Sequence, residues 1–213
     1  MKSIIAGLAL TALGCSAFTA QANTLNTGWK QAAKSDINWN YVGAGYAKAT
    51  IKNIGPDDID LDGYQLNARY LLSDNLYLHA SYYDVSGDVG MDDIMGLELE
   101  ASELVVGLGL RQAVTKNIDS FIEAGYVRSE MEVVGFEKQT FNGFQASAGF
   151  RYLVIQNLEL SAALRYNDSS GSDSSTFGDI SARYRVTPMI DLYINYQFDS
   201  DASLLGTGVA LNF

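Results

Sequence analysis

Residues 144–166, FQASAGFRYLVIQNLELSAALRY, contain two runs in which apolar and polar side chains alternate. The first run has an apolar residue at every second position: Phe144, Ala146, Ala148, Phe150 and Tyr152. The second run does the same: Leu158, Leu160, Ala162, Leu164 and Tyr166. A repeat of two residues is typical of a β-strand, because successive side chains point to opposite faces of a sheet. Only Ile155-Gln156-Asn157 separates the runs, so the stretch predicts a β-hairpin.

The same alternation recurs from residue 38 to the C-terminus. It marks ten segments: 38–51, 62–72, 76–84, 102–112, 118–128, 141–152, 158–167, 177–186, 191–199 and 204–213. Each is close to the ~9–11 residues that a tilted strand needs to cross a bilayer. Short connections interleave with longer, more polar ones at 52–61, 85–101, 129–140, 168–176 and 200–203. This plan predicts an all-β fold, a closed antiparallel transmembrane β-barrel of about ten strands, with eight strands as the alternative.

A soluble β-sandwich or lipocalin-like barrel would also show alternation. Two features argue against it. The polar face is rich in charge, whereas a soluble barrel has apolar side chains inside. The aromatic residues of the apolar face also cluster at two heights: Tyr70, Tyr152, Tyr184, Phe213 and Trp39 at the short-turn end, and Tyr64, Tyr82, Tyr126, Tyr166, Tyr196 and Phe198 near the long loops. Two aromatic bands around an aliphatic band are typical of a protein that spans a membrane.

The N-terminus resembles a secretory signal peptide. Lys2 precedes an apolar run over residues 4–13, and Ala20-Gln21-Ala22 is a small-x-small cleavage site. We therefore predict three parts: a signal peptide over 1–22, a short periplasmic N-terminal segment over 23–37 and the barrel over 38–213.

Charge and cysteine content exclude several classes of function. The formal net charge is −11, which disfavours nucleic-acid binding because phosphates require clustered Lys and Arg. The single cysteine, Cys15, lies in the predicted signal peptide, so neither a disulfide nor a thiolate metal site is expected after cleavage. Lipidation at Cys15 is the less favoured alternative, because Leu13 lies one place too close to it. No apolar run after residue 22 is long enough for a transmembrane helix.

The C-terminal run TGVALNF, residues 207–213, ends on an aromatic residue. Gly208, Leu211 and Phe213 resemble the β-signal by which the barrel assembly machinery recognises its clients. Together with the strand pattern, they make the mature chain similar to the small outer-membrane β-barrel proteins of Gram-negative bacteria, the porin-family or OmpA/OmpX-like barrel domain. The resemblance implies an integral outer-membrane protein with its termini in the periplasm and its long loops outside. Implied partners are outer-membrane lipids, lipopolysaccharide, the assembly machinery and periplasmic chaperones.

Four arginines follow an internal repeat around the short turns: Arg69, Arg111, Arg151 and Arg183. Each lies on the predicted inward face, and Asp119, Glu159 and Asp191 follow just across the turns. Because an isolated ion is costly inside a barrel, we predict a paired network that plugs the lumen. Its predicted members are Arg69, His79, Arg111, Glu123, Arg151, Glu159, Arg165, Asp179, Arg183 and Arg185. The alternative is a basic constriction that selects anions.

His79 is the only histidine and is the one candidate for general-base chemistry near neutral pH. His79-Ala80-Ser81 resembles the His-x-Ser pair of lipid A deacylase barrels, but the rest of that family's pattern is missing. If Leu72 pairs with Leu76 across the tight turn, His79 lies opposite Arg69. We therefore predict a neutral, hydrogen-bonded lumen residue, no catalytic residues and no cofactor.

Two acidic loops are candidate binding sites. Asp58, Asp60 and Asp62 match the opening half of an EF-hand loop, but Arg69 occupies the position where a bidentate Glu is required. We predict a solvated loop, with weak divalent-ion binding as the alternative. Residues 84–103 carry seven acidic residues and no Lys or Arg. A hairpin extending beyond the membrane is favoured there over a flap that binds a partner.

The sequence thus predicts a monomeric outer-membrane barrel with a structural or surface-interaction role and a plugged lumen. The second hypothesis is a narrow porin-like channel for small solutes. The third hypothesis is a lipid-modifying enzyme. We predict that the protein has no enzymatic activity.

Overall fold

The computed structural model describes residues 34–52, 58–89, 97–171 and 173–213. The predicted signal peptide and most of the predicted segment 23–37 lie outside the described residues. The strands all belong to one compact unit, Ser35–Phe213. They are β1 (Tyr41–Ile51), β2 (Ile59–Leu71), β3 (Leu76–Val89), β4 (Leu97–Ala113), β5 (Ile118–Val133), β6 (Gln139–Ile155), β7 (Leu158–Ser169), β8 (Ser175–Thr187), β9 (Ile190–Phe198) and β10 (Ala202–Asn212).

The ten strands form a closed antiparallel barrel, which confirms the predicted fold and excludes the eight-strand alternative. Each strand pairs with its neighbours along the chain, and β1 pairs with β10 from Tyr41 opposite Asn212 to Ile51 opposite Ala202. Closure matters because an open edge would leave unpaired backbone groups in hydrocarbon. We call the end of the barrel that carries the short connections the turn end and the opposite end the loop end.

Several strands are longer at the loop end than the alternation predicts. The ladder between β3 and β4 continues to Val89 opposite Leu97, so most of the acidic stretch 84–103 is paired strand. This agrees with the hairpin interpretation for the paired residues. The tip of the hairpin, residues 90–96, lies outside the described residues.

The exterior of the barrel is apolar. Leu108 and Leu66, for example, are 49% and 46% exposed in the middle of their strands. A folded soluble protein rarely leaves so many large apolar side chains exposed in one continuous surface. In the described part of the chain, no helix is long and apolar enough to cross a bilayer, a finding that does not bear on crossing by strands.

The two larger apolar clusters of the described residues lie inside the barrel, one at each end. The turn-end cluster consists of Ile37, Trp39, Tyr77, Phe121 and Leu153. The loop-end cluster has as its buried members Ala47, Leu61, Val85, Leu99 and Leu204. The inward-facing charges lie between these two clusters and among the turn-end aromatic rings.

The prediction that Trp39 belongs to an outer aromatic band is wrong. Trp39 is fully buried inside the turn end, in a segment that precedes β1. The adjoining strand β1 carries aromatic residues on both faces, inward at Tyr41 and outward at Tyr46, so aromatic character did not reveal the direction. The pairing of Tyr41 with Arg69 shows which face is inward, and Trp39 shares that side.

Candidate functional site

The lumen is the candidate functional site, because the charged residues converge there. All ten predicted network residues have the inward orientation, and most form ion pairs across neighbouring strands. The nitrogen–oxygen distances of the close pairs are 2.7 Å for Arg69–Glu123, 3.3 Å for Arg111–Asp119, 2.7 Å for Arg151–Glu159 and 2.7 Å for Arg165–Asp179. Asp119 and Asp191 were expected just across the turns from repeat arginines, and both lie in the lumen with almost no exposure.

Glu123 is the most fully satisfied carboxylate of the lumen. It binds the guanidinium of Arg69 and accepts hydrogen bonds from the Tyr77 hydroxyl at 2.8 Å and the Ser147 hydroxyl at 2.9 Å. The guanidinium of Arg69 also lies 5.2 Å from the ring centre of Phe121. A buried charge with this many partners is stable in its ionised form. The sequence placed Arg69 opposite His79, and that register is correct, but it did not reveal Glu123 as the ion partner.

Arg151 joins the wall of the barrel to the segment before β1. Its Nε and Nη2 donate to the two oxygens of Glu159 at 2.7 and 3.0 Å. Nη2 also donates to the carbonyl of Asn38 at 2.9 Å, and the guanidinium lies 4.3 Å from the ring centre of Trp39. The fork of Arg151 therefore binds both a carboxylate and the entering chain, which a lysine could not do with the same geometry.

Trp39 fills the centre of the turn end. Its indole Nε1 donates to Asp119 Oδ2 at 2.7 Å, and the same oxygen accepts a hydrogen bond from Arg111 Nη1 at 3.3 Å. The ring packs on Tyr77 with centroids 4.5 Å apart. The indole N–H thus has the partner that a buried tryptophan requires. This contact is not predictable from local pattern, because Trp39 and Asp119 are distant along the chain.

The ion pairs between β8 and β9 are looser. Arg183 and Arg185 approach Asp191 only to 3.8 and 3.5 Å. Neither contact is a hydrogen bond, and no donor in the described part of the chain reaches either oxygen of Asp191. Arg183 instead lies 3.6 Å from the ring centre of Tyr41, in a cation–π contact.

A polar cavity of about 150 Å3 lies in the middle of the lumen. Arg151 and Arg183 line it toward the turn end, and Glu103, Gln197 and Leu204 line it toward the loop end. Buried polar atoms with no protein partner are found among its lining residues: His79 Nε2, Gln145 Oε1, Arg151 Nη1 and Arg165 Nε. Such atoms require water or another polar molecule. The cavity can therefore hold several water molecules.

Two inward glycines of β4 make room for rings on β3. A Cβ at Gly109 would collide with the Tyr77 ring, and one at Gly107 would collide with His79 Nε2. Both glycines lie directly opposite the residues they accommodate. Sequence reasoning placed these glycines on the polar face, but the reason for their small size is visible only in the pairing.

His79 lies inside the barrel and is buried. Within the described residues, no hydrogen bond joins it to Ser81 or to a carboxylate, so no nucleophile–base pair is assembled. The predicted absence of enzymatic activity stays a prediction.

Asp60 and Asp62, which the sequence analysis placed in the first loop, lie in β2 and face outward. Asp60 binds Lys48 at 2.8 Å and Thr50 at 2.7 Å, and Asp62 accepts a hydrogen bond from Tyr46. Within the described residues, no group of three or more His, Cys, Asp or Glu could hold a metal ion. The predicted weak divalent-ion site at Asp58, Asp60 and Asp62 stays a prediction.

The outer tyrosines near the loop end carry polar partners that the sequence analysis missed. Tyr82 donates to Asp84 at 2.9 Å, and Tyr126 donates to Asn142 at 2.5 Å. In each case the acceptor lies nearer the loop end than the tyrosine, whose ring faces lipid. This geometry suits the boundary between hydrocarbon and water.

The predicted assembly signal lies at the seam between the first and last strands. Val209, Leu211 and Phe213 face outward, whereas Ala210 and Asn212 are buried in the lumen, as the alternation predicts. Gly208 lies opposite Gly45, and a Cβ on Gly208 would collide with the backbone of β1. The seam therefore requires a glycine here for structural reasons of its own.

The family model described as "Protein of unknown function, DUF481" matches residues 19–206. The chain belongs to the DUF481 family. No curated protein matches this DUF481 chain.

Solved structures resemble the DUF481 barrel in fold. The NanC porin is 10% identical with a TM-score of 0.50, covering 81% of this chain and all of that one. Neisserial surface protein A is 16% identical with a TM-score of 0.45, and the match covers 81% of this chain and 96% of that protein. OprG of Pseudomonas aeruginosa is 11% identical with a TM-score of 0.45, and the match covers 86% of this chain and 98% of OprG. The likeness to the NanC porin agrees with the closed β-barrel fold that the sequence predicts.

Proposed function

We propose that this DUF481 protein is a structural, surface-exposed barrel of the outer membrane whose lumen is closed to solutes in the resting state. The observation that carries the proposal is the filling of the lumen. Trp39 occupies the turn end, the Arg69–Glu123 pair crosses the interior from β2 to β5, and pairs such as Arg151–Glu159 line the wall between neighbouring strands. Because separating such a pair exposes an uncompensated charge at low dielectric, the network resists thermal opening.

In the orientation that we propose, the turn end and both termini of the barrel lie in the periplasm. The β3–β4 hairpin and the other long connections extend outside the cell. Asp88 and Glu98 lie opposite each other on the outer face of that hairpin. Lipopolysaccharide and outer-membrane lipids would surround the apolar exterior. The assembly machinery and periplasmic chaperones would act on the chain during biogenesis.

The proposal is tested by conductance in planar bilayers. Purified protein is refolded into lipid, and its closed-barrel state is verified by heat-dependent mobility on a gel. We expect no discrete current steps in 1 M KCl at moderate voltage, with a known porin as the positive control. Reproducible steps from the wild-type protein would favour the narrow channel, the alternative suggested by the polar cavity of about 150 Å3.

A further inference from the structure

The ten-stranded barrel requires filling that its own wall does not supply. An eight-stranded barrel is just filled by its inward side chains, and the internal diameter grows with strand number. Here the additional space at the turn end is occupied by residues 35–39, which precede β1. Trp39 is fully buried and Ile37 is 5% exposed. We call residues 35–39 the stopper. Asn40 accepts hydrogen bonds from the amide N–H groups of Leu71 and Phe213 and therefore belongs to the barrel wall.

The stopper is held by a few separate contacts and belongs to no strand. Trp39 donates to Asp119, Arg151 donates to the carbonyl of Asn38, and the amide of Asp36 donates to the carbonyl of Lys116. By contrast, β1 has a ladder on each side, to β2 and to β10. The stopper can therefore leave without opening the barrel wall, because none of the strand ladders depends on it.

The polar cavity begins directly above the stopper. Arg151, which lies against the Trp39 ring, also lines the cavity, and so do Arg69 and Phe121. Removing the indole would connect the cavity to the turn end through the space between these side chains. The first barrier to a water path is thus the stopper.

The loop-end cluster lies on one side of the barrel. Among the described residues, it draws its members from β1–β5 and β10. On the facing strands β6–β9, the inward side at this height is mixed: Asn167 and Gln197 are polar and half-buried, and the rings of Phe141 and Phe177 share that side. Gln197 also lines the cavity. The polar groups that lead from the cavity toward the loops are therefore Gln197 and Asn167.

We infer that the barrel is a latent channel for small hydrated ions, closed by its own stopper and opened when Trp39 leaves the turn end. The inference rests on the proposed closed resting state and adds what opens it. The described strands carry six inward arginines, Arg69, Arg111, Arg151, Arg165, Arg183 and Arg185. They carry six inward carboxylates, Glu103, Asp119, Glu123, Glu159, Asp179 and Asp191. With the charges balanced, the open path discriminates little between cations and anions.

Planar-bilayer recordings of Trp39→Gly test the stopper. We expect the wild-type protein to be silent and Trp39→Gly to give discrete steps, with a reversal potential near zero in a KCl gradient. Trp39→Phe keeps most of the bulk and is expected to stay mostly closed. The matched control is Phe150→Ala, which removes an aromatic ring from the lipid-facing side and should be as silent as the wild type.

Each outcome is decisive. A silent Trp39→Gly that shows the heat-dependent mobility of a folded barrel overturns the stopper and leaves the proposed function intact. A conducting wild type overturns the proposed function, and it overturns the stopper too if Trp39→Gly conducts no more than the wild type. If Trp39→Gly does not refold, Trp39→Ala decides, because it also removes the indole and keeps a less flexible backbone. Discrete steps from folded Trp39→Ala support the stopper, and silence overturns it.

Discussion

At the scale of single residues, the lumen shows how buried charge is made tolerable. Arg151 is almost fully buried, yet its guanidinium has Glu159, a backbone carbonyl and the face of Trp39 as partners. The exposed pair between Arg128 and Glu130 has a similar distance of 2.6 Å but lies in water. Burial, more than the distance between the charged atoms, decides how much the loss of one partner of an ion pair changes the free energy of unfolding.

This contrast predicts the effect of removing one partner. Glu159→Gln leaves Arg151 buried without a counter-charge, so we expect a loss of about 3–5 kcal/mol in the free energy of unfolding. Adding Arg151→Met should recover much of that loss. Urea unfolding of the refolded protein in lipid vesicles measures both.

Glu130→Gln is the matched control, since its partners Arg128 and Lys138 are exposed. It should change the unfolding free energy far less than Glu159→Gln. Equal effects of the two substitutions would show that the lumen pair is as well solvated as the surface pair.

At the scale of elements, the seam between β1 and β10 is the contact that closes the barrel. Gly45 and Gly208 face each other there, and the backbones approach too closely for a side chain at Gly208. The Tyr193 hydroxyl also lies beside this glycine. The last strand therefore combines a predicted recognition signal with a steric requirement for closure.

Gly208→Ala separates these two roles. We expect a smaller folded fraction when the denatured variant refolds into lipid vesicles, because the new methyl group meets the carbonyl of Ala44. No assembly machinery is present in that experiment, so the defect reports closure alone. Val209→Leu, on the lipid-facing side of the same strand, should refold like the wild type. Normal refolding of Gly208→Ala combined with failed assembly in cells would assign the glycine to recognition instead.

At the scale of the whole molecule, the barrel is apolar outside and polar inside. Exposed aliphatic residues such as Leu108 occupy the middle of the outer surface, and carboxylates such as Glu100 lie toward the loop end of the same strand. This arrangement is stable only if a layer of hydrocarbon surrounds the middle of the barrel.

A charge scan along β4 measures that layer. Leu108→Arg places a charge near the middle of the outer surface, where it is expected to cost about 2–4 kcal/mol in lipid vesicles. Glu100→Arg changes the same face of the same strand near the loop end and should cost little. A small cost at both positions would contradict a membrane-spanning position of Leu108.

Much of this architecture is predictable from local pattern. The alternation in residues 144–166 predicts both the hairpin and the direction in which each side chain points. The short turn over residues 73–75 predicts that Arg69 faces His79, which the register reproduces. Both inferences need only the two-residue repeat and the geometry of a tight turn, which act between neighbours.

The stopper and the partners across the lumen depend on contacts between distant parts of the chain. Trp39 meets Asp119, and Arg69 meets Glu123, only because ten strands close into one ring. By itself, the sequence determined the strands, their inward and outward faces and the charge of the lumen, because alternation is a local property of the chain. The tertiary structure alone decided which charges pair and that Trp39 fills the turn end. The physical reason is that the diameter of the closed barrel sets which side chains can reach each other across the lumen and how much space is left at the turn end.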